Sequence, residues 1–219
     1  MRRNVSGSRL VSLLGNWAAV DTKASRQDWA AELSLWLGPF DAMTLHAAHQ
    51  AMKAAASEKL PPSRKASSGN LEAEFRRVRS VLVSGMRAQG EAADTDFASY
   101  RQRYLAQQRR MELAVETLRD HVRQVLSQTS VRLRQLAALD AALEKTLGVR
   151  EKVLLSKLPA LLGRRFEHLK KTVGDGLDGA QPQRWLDVFG QDVEDLLLAE
   201  LNFRLEPVAG LVEAFSNET

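Results

Sequence analysis

Residues 97–127 contain neither Gly nor Pro, and within them Phe97, Tyr104, Met111, Leu118 and Val125 recur at every seventh position, with Val115 and Val122 in between. Gly and Pro are the residues that most readily interrupt a helix, so their absence over this length predicts one long helix. The seven-residue apolar repeat adds a narrow packing seam of the coiled-coil kind. A chain carrying such a helix must cover its seam, either with its own helices or with another molecule.

The rest of the composition fits that element. At 219 residues with 44% hydrophobic content, the chain can bury a substantial core. Ala, Leu, Arg, Gln and Glu abound, aromatic residues make up 6%, and no long alternating β-branched stretch occurs. The expected fold is all-α, an elongated helical bundle or helical hairpin with coiled-coil-like long helices. The absence of cysteine excludes disulfides, thiolate zinc sites and thiol nucleophiles, and it fits a cytoplasmic protein. Met1, Arg2 and Arg3 precede an apolar stretch at residues 10–20, which superficially resembles a signal peptide. Gly15 and Asn16 interrupt that stretch and no small-x-small cleavage site follows, so export is not expected. No segment approaches the roughly 18 apolar residues of a membrane span.

Formal charge is +4, but it is unevenly distributed. From Trp185 onward eight acids stand against Arg204 alone, leaving that end at −7 and residues 1–184 at +11. The simplest consequence is that the acidic end packs beside basic helices of the same chain; the sharper one is that the two ends face different partners.

Breakers and caps divide the chain into five stretches. Residues 1–56 form a small three-helix unit: a first helix over 8–20, a second opened by Ser25 and closed by Gly38 and Pro39, and a third capped by Asp41 and reaching Met52. Trp17, Trp29 and Trp36 fall in this unit, as core anchors for short helices or as an exposed docking cluster. Residues 57–70, with Pro61, Pro62, four serines and Gly69, read as a flexible linker. Residues 71–173 form the long-helix hairpin or bundle. Within it a helix over 71–88 and a polar loop over 89–96 lead to the long helix, for which Asp94, Thr95 or Asp96 is the cap. The pattern restarts at Ser130 with Leu133, Leu136, Leu139, Leu143 and Leu147 on one face; Gly148 suits a break, and Pro159 predicts another near Lys157. Residues 174–183 are a Gly-rich linker. Residues 184–219 are an acidic helical segment whose apolar face is Trp185, Val188, Phe189, Val193, Leu196, Leu197 and Leu201, with a further turn after Pro207. Its expected docking site is the face of Val153, Leu161, Leu162 and Phe166, with Arg164 and Arg165 near its acids.

Motifs for catalysis are missing from the sequence. There is no Gly-x-Ser-x-Gly elbow, no P-loop and no dinucleotide fingerprint. Glu112 with Glu116, and Asp192 with Asp195, fall at helical spacings that suit solvated faces better than an acid/base pair. His46 and His49 share a helix three residues apart, but two imidazoles do not make a metal site. His121 and His168 read as solvated. No catalytic residue, cofactor or metal is expected, and the protein is expected to work by binding. The candidate partner-binding residues are Trp29, Trp36, Arg101, Arg109, Arg110, Trp185 and Phe189. The seam is equally compatible with a homo-oligomer. Between residues 97 and 171, sixteen Lys and Arg stand against seven acids, an excess of nine. That basic face supports an alternative, a nucleic-acid-associated helical protein, although no aromatic residues are interleaved with the charges.

Three blocks carry a family resemblance: SRLVSLLGNWAAVD with SRQDWAAELSLWLGPFDAMTL; YRQRYLAQQRRME with LAALDAALEKTLGVREKVLLSKLPALLGRRFEHL; and WLDVFGQDVEDLLLAELNFRLEPVAGLVEAF. Together they resemble an uncharacterised proteobacterial family, domain of unknown function 3348, over nearly the whole chain. The resemblance supplies no catalytic residues. It implies a gene neighbourhood containing a proton-channel-like inner-membrane protein of the flagellar and Tol stator type and a peptidoglycan-binding protein. By that resemblance the protein is a cytoplasmic accessory of a cell-envelope complex, with the membrane-embedded channel-like protein as its partner.

Overall fold

The computed structural model describes residues 9–20, 39–57, 68–87, 96–174 and 183–218. Among these residues there are seven helices and no strand: α1 (Arg9–Val20), α2 (Pro39–Ser57), α3 (Ser68–Arg87), α4 (Phe97–Thr129), α5 (Val131–Leu155), α6 (Leu158–Gly174) and α7 (Gln183–Glu218). The chain is all-α. The second expected helix, most of both linkers and the loop over 89–95 lie outside the described residues.

Local chemistry explains the helix ends. Asp96 caps α4, accepting the Ala98 backbone N–H at 3.1 Å. Ser130 divides α4 from α5: its hydroxyl accepts the Leu133 N–H at 3.1 Å, and its carbonyl accepts the Arg134 N–H at 2.9 Å. Arg134 is buried and reaches back to cap the preceding helix, donating from Nε to the Ser127 carbonyl at 2.9 Å. α5 and α6 meet at Ser156 and Lys157, as Pro159 predicts. The Lys157 carbonyl accepts from Ala160 at 3.1 Å and Leu161 at 3.2 Å, so Pro159 sits in a first turn where no backbone donor is missed.

Four expected boundaries move. Pro39 begins α2, where its fixed φ suits a first turn. α3 begins at Ser68, taking the end of the expected linker into a helix. Gly148 does not break α5, which runs for 25 residues, because one interior Gly costs only about 1 kcal/mol relative to Ala. Pro207 lies inside the 36-residue α7. Its cost of about 3 kcal/mol is outweighed by burial of Leu205, Val208, Leu211, Val212 and Phe215 around it, each worth about 1.5–3 kcal/mol.

The buried stripe of α4 departs from the heptad. Its members are Tyr100, Tyr104, Gln107, Met111, Val115, Leu118, Val122 and Leu126. The steps are 4, 3, 4, 4, 3, 4 and 4, an 11-residue period of about 3.67 residues per turn. Phe97 and Val125, the outermost heptad positions, fall at the edge and are only half-buried. The two periods drift in opposite senses around a helix of 3.6 residues per turn, so they diverge most at the ends.

The chain divides into two compact units, each assembled from separated segments. The first comprises Met1–Val20, Arg79–Leu113 and Leu154–Arg204; the second comprises Asp21–Val78, Ala114–Val153 and Leu205–Thr219. These units are not the consecutive stretches that breakers and caps mark out.

An aromatic cluster anchors the first unit. Phe166 lies 5.5 Å from Phe97, 5.1 Å from Trp185 and 5.0 Å from Phe189, and Phe189 stands edge-on to Tyr100 at 5.0 Å. Gly163 allows the Phe97 ring to approach α6, since a Cβ there would stand 3.0 Å from a ring carbon. α7 thus docks on Phe166, as expected, while Val153, assigned to the same face, is exposed. Trp17 of α1 lies under the Arg165 guanidinium, 5.9 Å from its ring centre.

In the second unit Leu118, Val122, Leu126, Leu133, Val208 and Phe215 are buried. α2 meets α5 where Gln135 Nε2 donates to the Met52 carbonyl at 3.4 Å.

Candidate functional site

The first unit holds a buried polar centre built on Glu200. Tyr104 donates its hydroxyl to Glu200 Oε2 at 2.6 Å. Gln108 Nε2 donates to Oε1 at 3.0 Å and to the Leu155 carbonyl at 3.0 Å. Arg204, one turn along α7, donates to Oε1 from Nε at 2.9 Å and Nη2 at 2.7 Å. Burial pushes the Tyr104 phenol well above its ordinary pKa, and the adjacent Glu200 charge and hydrogen bond add to the rise; Arg204 opposes it. The phenol is therefore a donor, not a base. The carboxylate receives four hydrogen bonds and its charge is matched by Arg204, so the centre is chemically satisfied. Its physical effect is to set the register of α7 against α4. On α4 the preceding residue reaches another helix, with Gln107 Nε2 donating to the Gly85 carbonyl at 3.1 Å.

The second unit holds an ionic ladder. Arg119 and Arg123, one turn apart on α4, face Asp140 and Glu144, one turn apart on α5. Arg119 binds Asp140 in a fork at 2.7 and 2.8 Å and reaches Glu144 at 3.2 Å. Arg123 binds Asp140 at 2.7 Å and also pairs with Glu144. Burial alone would raise the Asp140 pKa; the hydrogen bonds and charges of Arg119 and Arg123 outweigh it and hold the carboxyl below its ordinary value. The Arg123 guanidinium is held above its ordinary value by Glu144 and Asp140, against the effect of its own burial. Four of the charges counted toward the basic face thus belong to an internal ladder.

The structure scatters the expected partner-binding residues. Arg101, Arg109 and Arg110 are exposed on α4. Arg110 lies against Gly85, where a Cβ would stand 2.7 Å from its Nη1, in the last turn of α3, a position the helix dipole favours for a cation. Trp185 is half-buried against Phe166. Phe189 is fully buried between Phe166 and Tyr100, so it is a core anchor and presents no surface to a partner. Trp29 and Trp36 lie outside the described residues. Among the histidines, His46 is exposed beside Gln50 at 3.3 Å, and His121 stands 3.3 Å from Glu74. No group of three or more potential metal ligands occurs among the described residues.

Sequence reasoning missed Glu200, counting it only as one of the eight acids from Trp185 onward. The signal was present: Glu200 falls one turn after Leu196 on the apolar face of α7, with Arg204 one turn further on.

Among the described residues, no helix is long and apolar enough to cross a membrane. No curated protein and no solved structure matches the sequence. A family does: over residues 1–217, carrying both the Tyr104–Glu200 centre and the Arg–carboxylate ladder, the chain belongs to the family described as Protein of unknown function (DUF3348).

Proposed function

We propose that this protein works by binding, as a non-enzymatic cytoplasmic helical interaction or assembly subunit. Its polar centres support that reading, because their hydrogen-bonding capacity is spent on joining helices. The observation that carries it is the C-terminal end of α5. Leu147, Val149 and Val153 are 47%, 67% and 55% exposed within seven residues of one helix. Val149 and Val153 stand one turn apart, and Leu143, one turn before Leu147, is half-buried. Scattered exposed apolar residues need no explanation, but Val149 and Val153, stacked one turn apart on one face and both more than half exposed, fit a protein partner. The partner we favour is a proton-channel-like, stator-type envelope protein; that choice draws on the gene neighbourhood implied by the family resemblance.

A photo-reactive residue at position 149 tests the reading in cells, with one at Gln128 as the exposed polar control. An adduct with a channel-like protein from position 149 alone is expected. With the probe kept at position 149, it should vanish in a Val153→Asp chain that keeps its melting temperature. No adduct from position 149 in a folded, expressed chain refutes the reading.

A further inference from the structure

The acidic residues of α7 do not neutralise the first unit. Asp192 is paired with Arg165 at 2.8 Å, Glu194 with Arg87 at 3.2 Å, and Glu200 with Arg204 at 2.7 Å. Arg164, Lys170 and Lys171 of α6 are exposed and make no ion pair with a described residue. The contrast between neighbours is sharp: Arg165 turns inward to Trp17 and Asp192, while Arg164 turns out.

We propose that the outward face of α6 binds the phosphate backbone of nucleic acid, through Arg164, Lys170 and Lys171 with His168 between them. This goes beyond the assembly role and does not depend on it. Residues 164, 168 and 171 follow the i, i+4, i+7 spacing of a single helix face, and lie about 6 and 10.5 Å along the axis from the first. All three are exposed.

The same face argues against other anionic partners. Leu158, Leu162 and Phe166 are buried, and among the described residues α6 exposes no large apolar side chain to anchor a protein hot spot or to lay into a lipid surface. A phosphate backbone requires only cations and donors, and it is read without regard to base sequence. Glu167, the one acid on α6, lies on this face too, three residues from Arg164 and Lys170 and four from Lys171, and offsets part of its positive charge.

The full chain is titrated against a fluorescein-labelled 20-base-pair duplex and a 20-nucleotide single strand by anisotropy. Three cationic contacts give a log–log salt slope of about −2.7 for duplex, a loss of about 40-fold in affinity between 50 and 200 mM salt. Arg164→Gln with Lys171→Gln removes two contacts, so the loss over the same range falls to about 3- to 4-fold. Arg132→Gln, an exposed cation on α5, leaves the slope unchanged. The expected result is this selective change of slope with melting temperatures unaltered. No binding at 50 mM salt overturns the proposal, as does a slope that the α6 pair leaves intact. Tighter binding to phosphatidylserine vesicles than to either nucleic acid overturns it in favour of a membrane surface.

Discussion

Tyr104 and Glu200, 96 residues apart in sequence, share a 2.6 Å hydrogen bond in which the phenol donates to a carboxylate with no exposed surface. A carboxylate that deep is stable only while its donors remain, and Arg204 supplies the compensating charge. Glu200→Ala is expected to cost about 3–5 kcal/mol, because it leaves the Arg204 guanidinium buried without a partner. Replacing both, Glu200→Leu with Arg204→Leu, should cost less than the single change. Urea unfolding of the three chains checks the order; a double variant weaker than the single one would show that the pair contributes net stability.

Acid should loosen the second unit through Asp140. Its folded pKa is lowered, so its contribution is fully present above the unfolded value of about 3.9 and is lost as pH falls through the lower folded value. Thermal unfolding from pH 6 to pH 2 should show this decline, and Asp140→Asn should flatten it while lowering stability at pH 6.

Alkali acts on Tyr104 with the opposite sign. A raised folded pKa means the native state keeps a proton that the unfolded chain releases above about pH 10, so stability declines as pH rises from there toward the folded value. Tyr104→Phe should remove this tyrosine-linked decline, at the cost of about 1–3 kcal/mol near neutrality for a donor lost to a buried carboxylate.

Two helical glycines should respond differently to alanine. A Cβ at Gly190 meets nothing within 4 Å, so Gly190→Ala should stabilise α7 by about 0.5–1 kcal/mol. At Gly163 the same group would stand 3.0 Å from Phe97, whose ring is engaged with Phe166, and the gain should be cancelled or reversed. Melting temperatures of the two variants, moving apart, check the contrast.

Phe189 should prove a structural anchor. Phe189→Ala removes a fully buried ring from contact with Phe166 and Tyr100 and should cost about 3–5 kcal/mol. Calorimetry of the variant checks this; an unchanged melting temperature would return Phe189 to the partner-binding set.

What the sequence revealed were signals that act locally. The Gly- and Pro-free run marked α4, Asp96 and Ser130 carry side chains that cap helices, and Pro159 denies a backbone donor wherever it stands. What it concealed depends on tertiary balance. Gly148 and Pro207 read as breaks because their cost is local, whereas the burial that outweighs it around Pro207 comes from the folded chain. The polar centre was hidden because Glu200 looks like every other acid of its segment until Tyr104 and Gln108 are brought to it. Phe189 read as a docking residue because an apolar stripe does not name what it covers.

The 11-residue stripe of α4 also bears on stoichiometry. Its eight side chains are covered within a single chain, so this face has nothing left to offer a second copy, and zipping two copies along it would require each to open first. Diluting the protein should therefore leave the packing of α4 untouched, and any self-association must recruit surface that the folded chain still leaves in water.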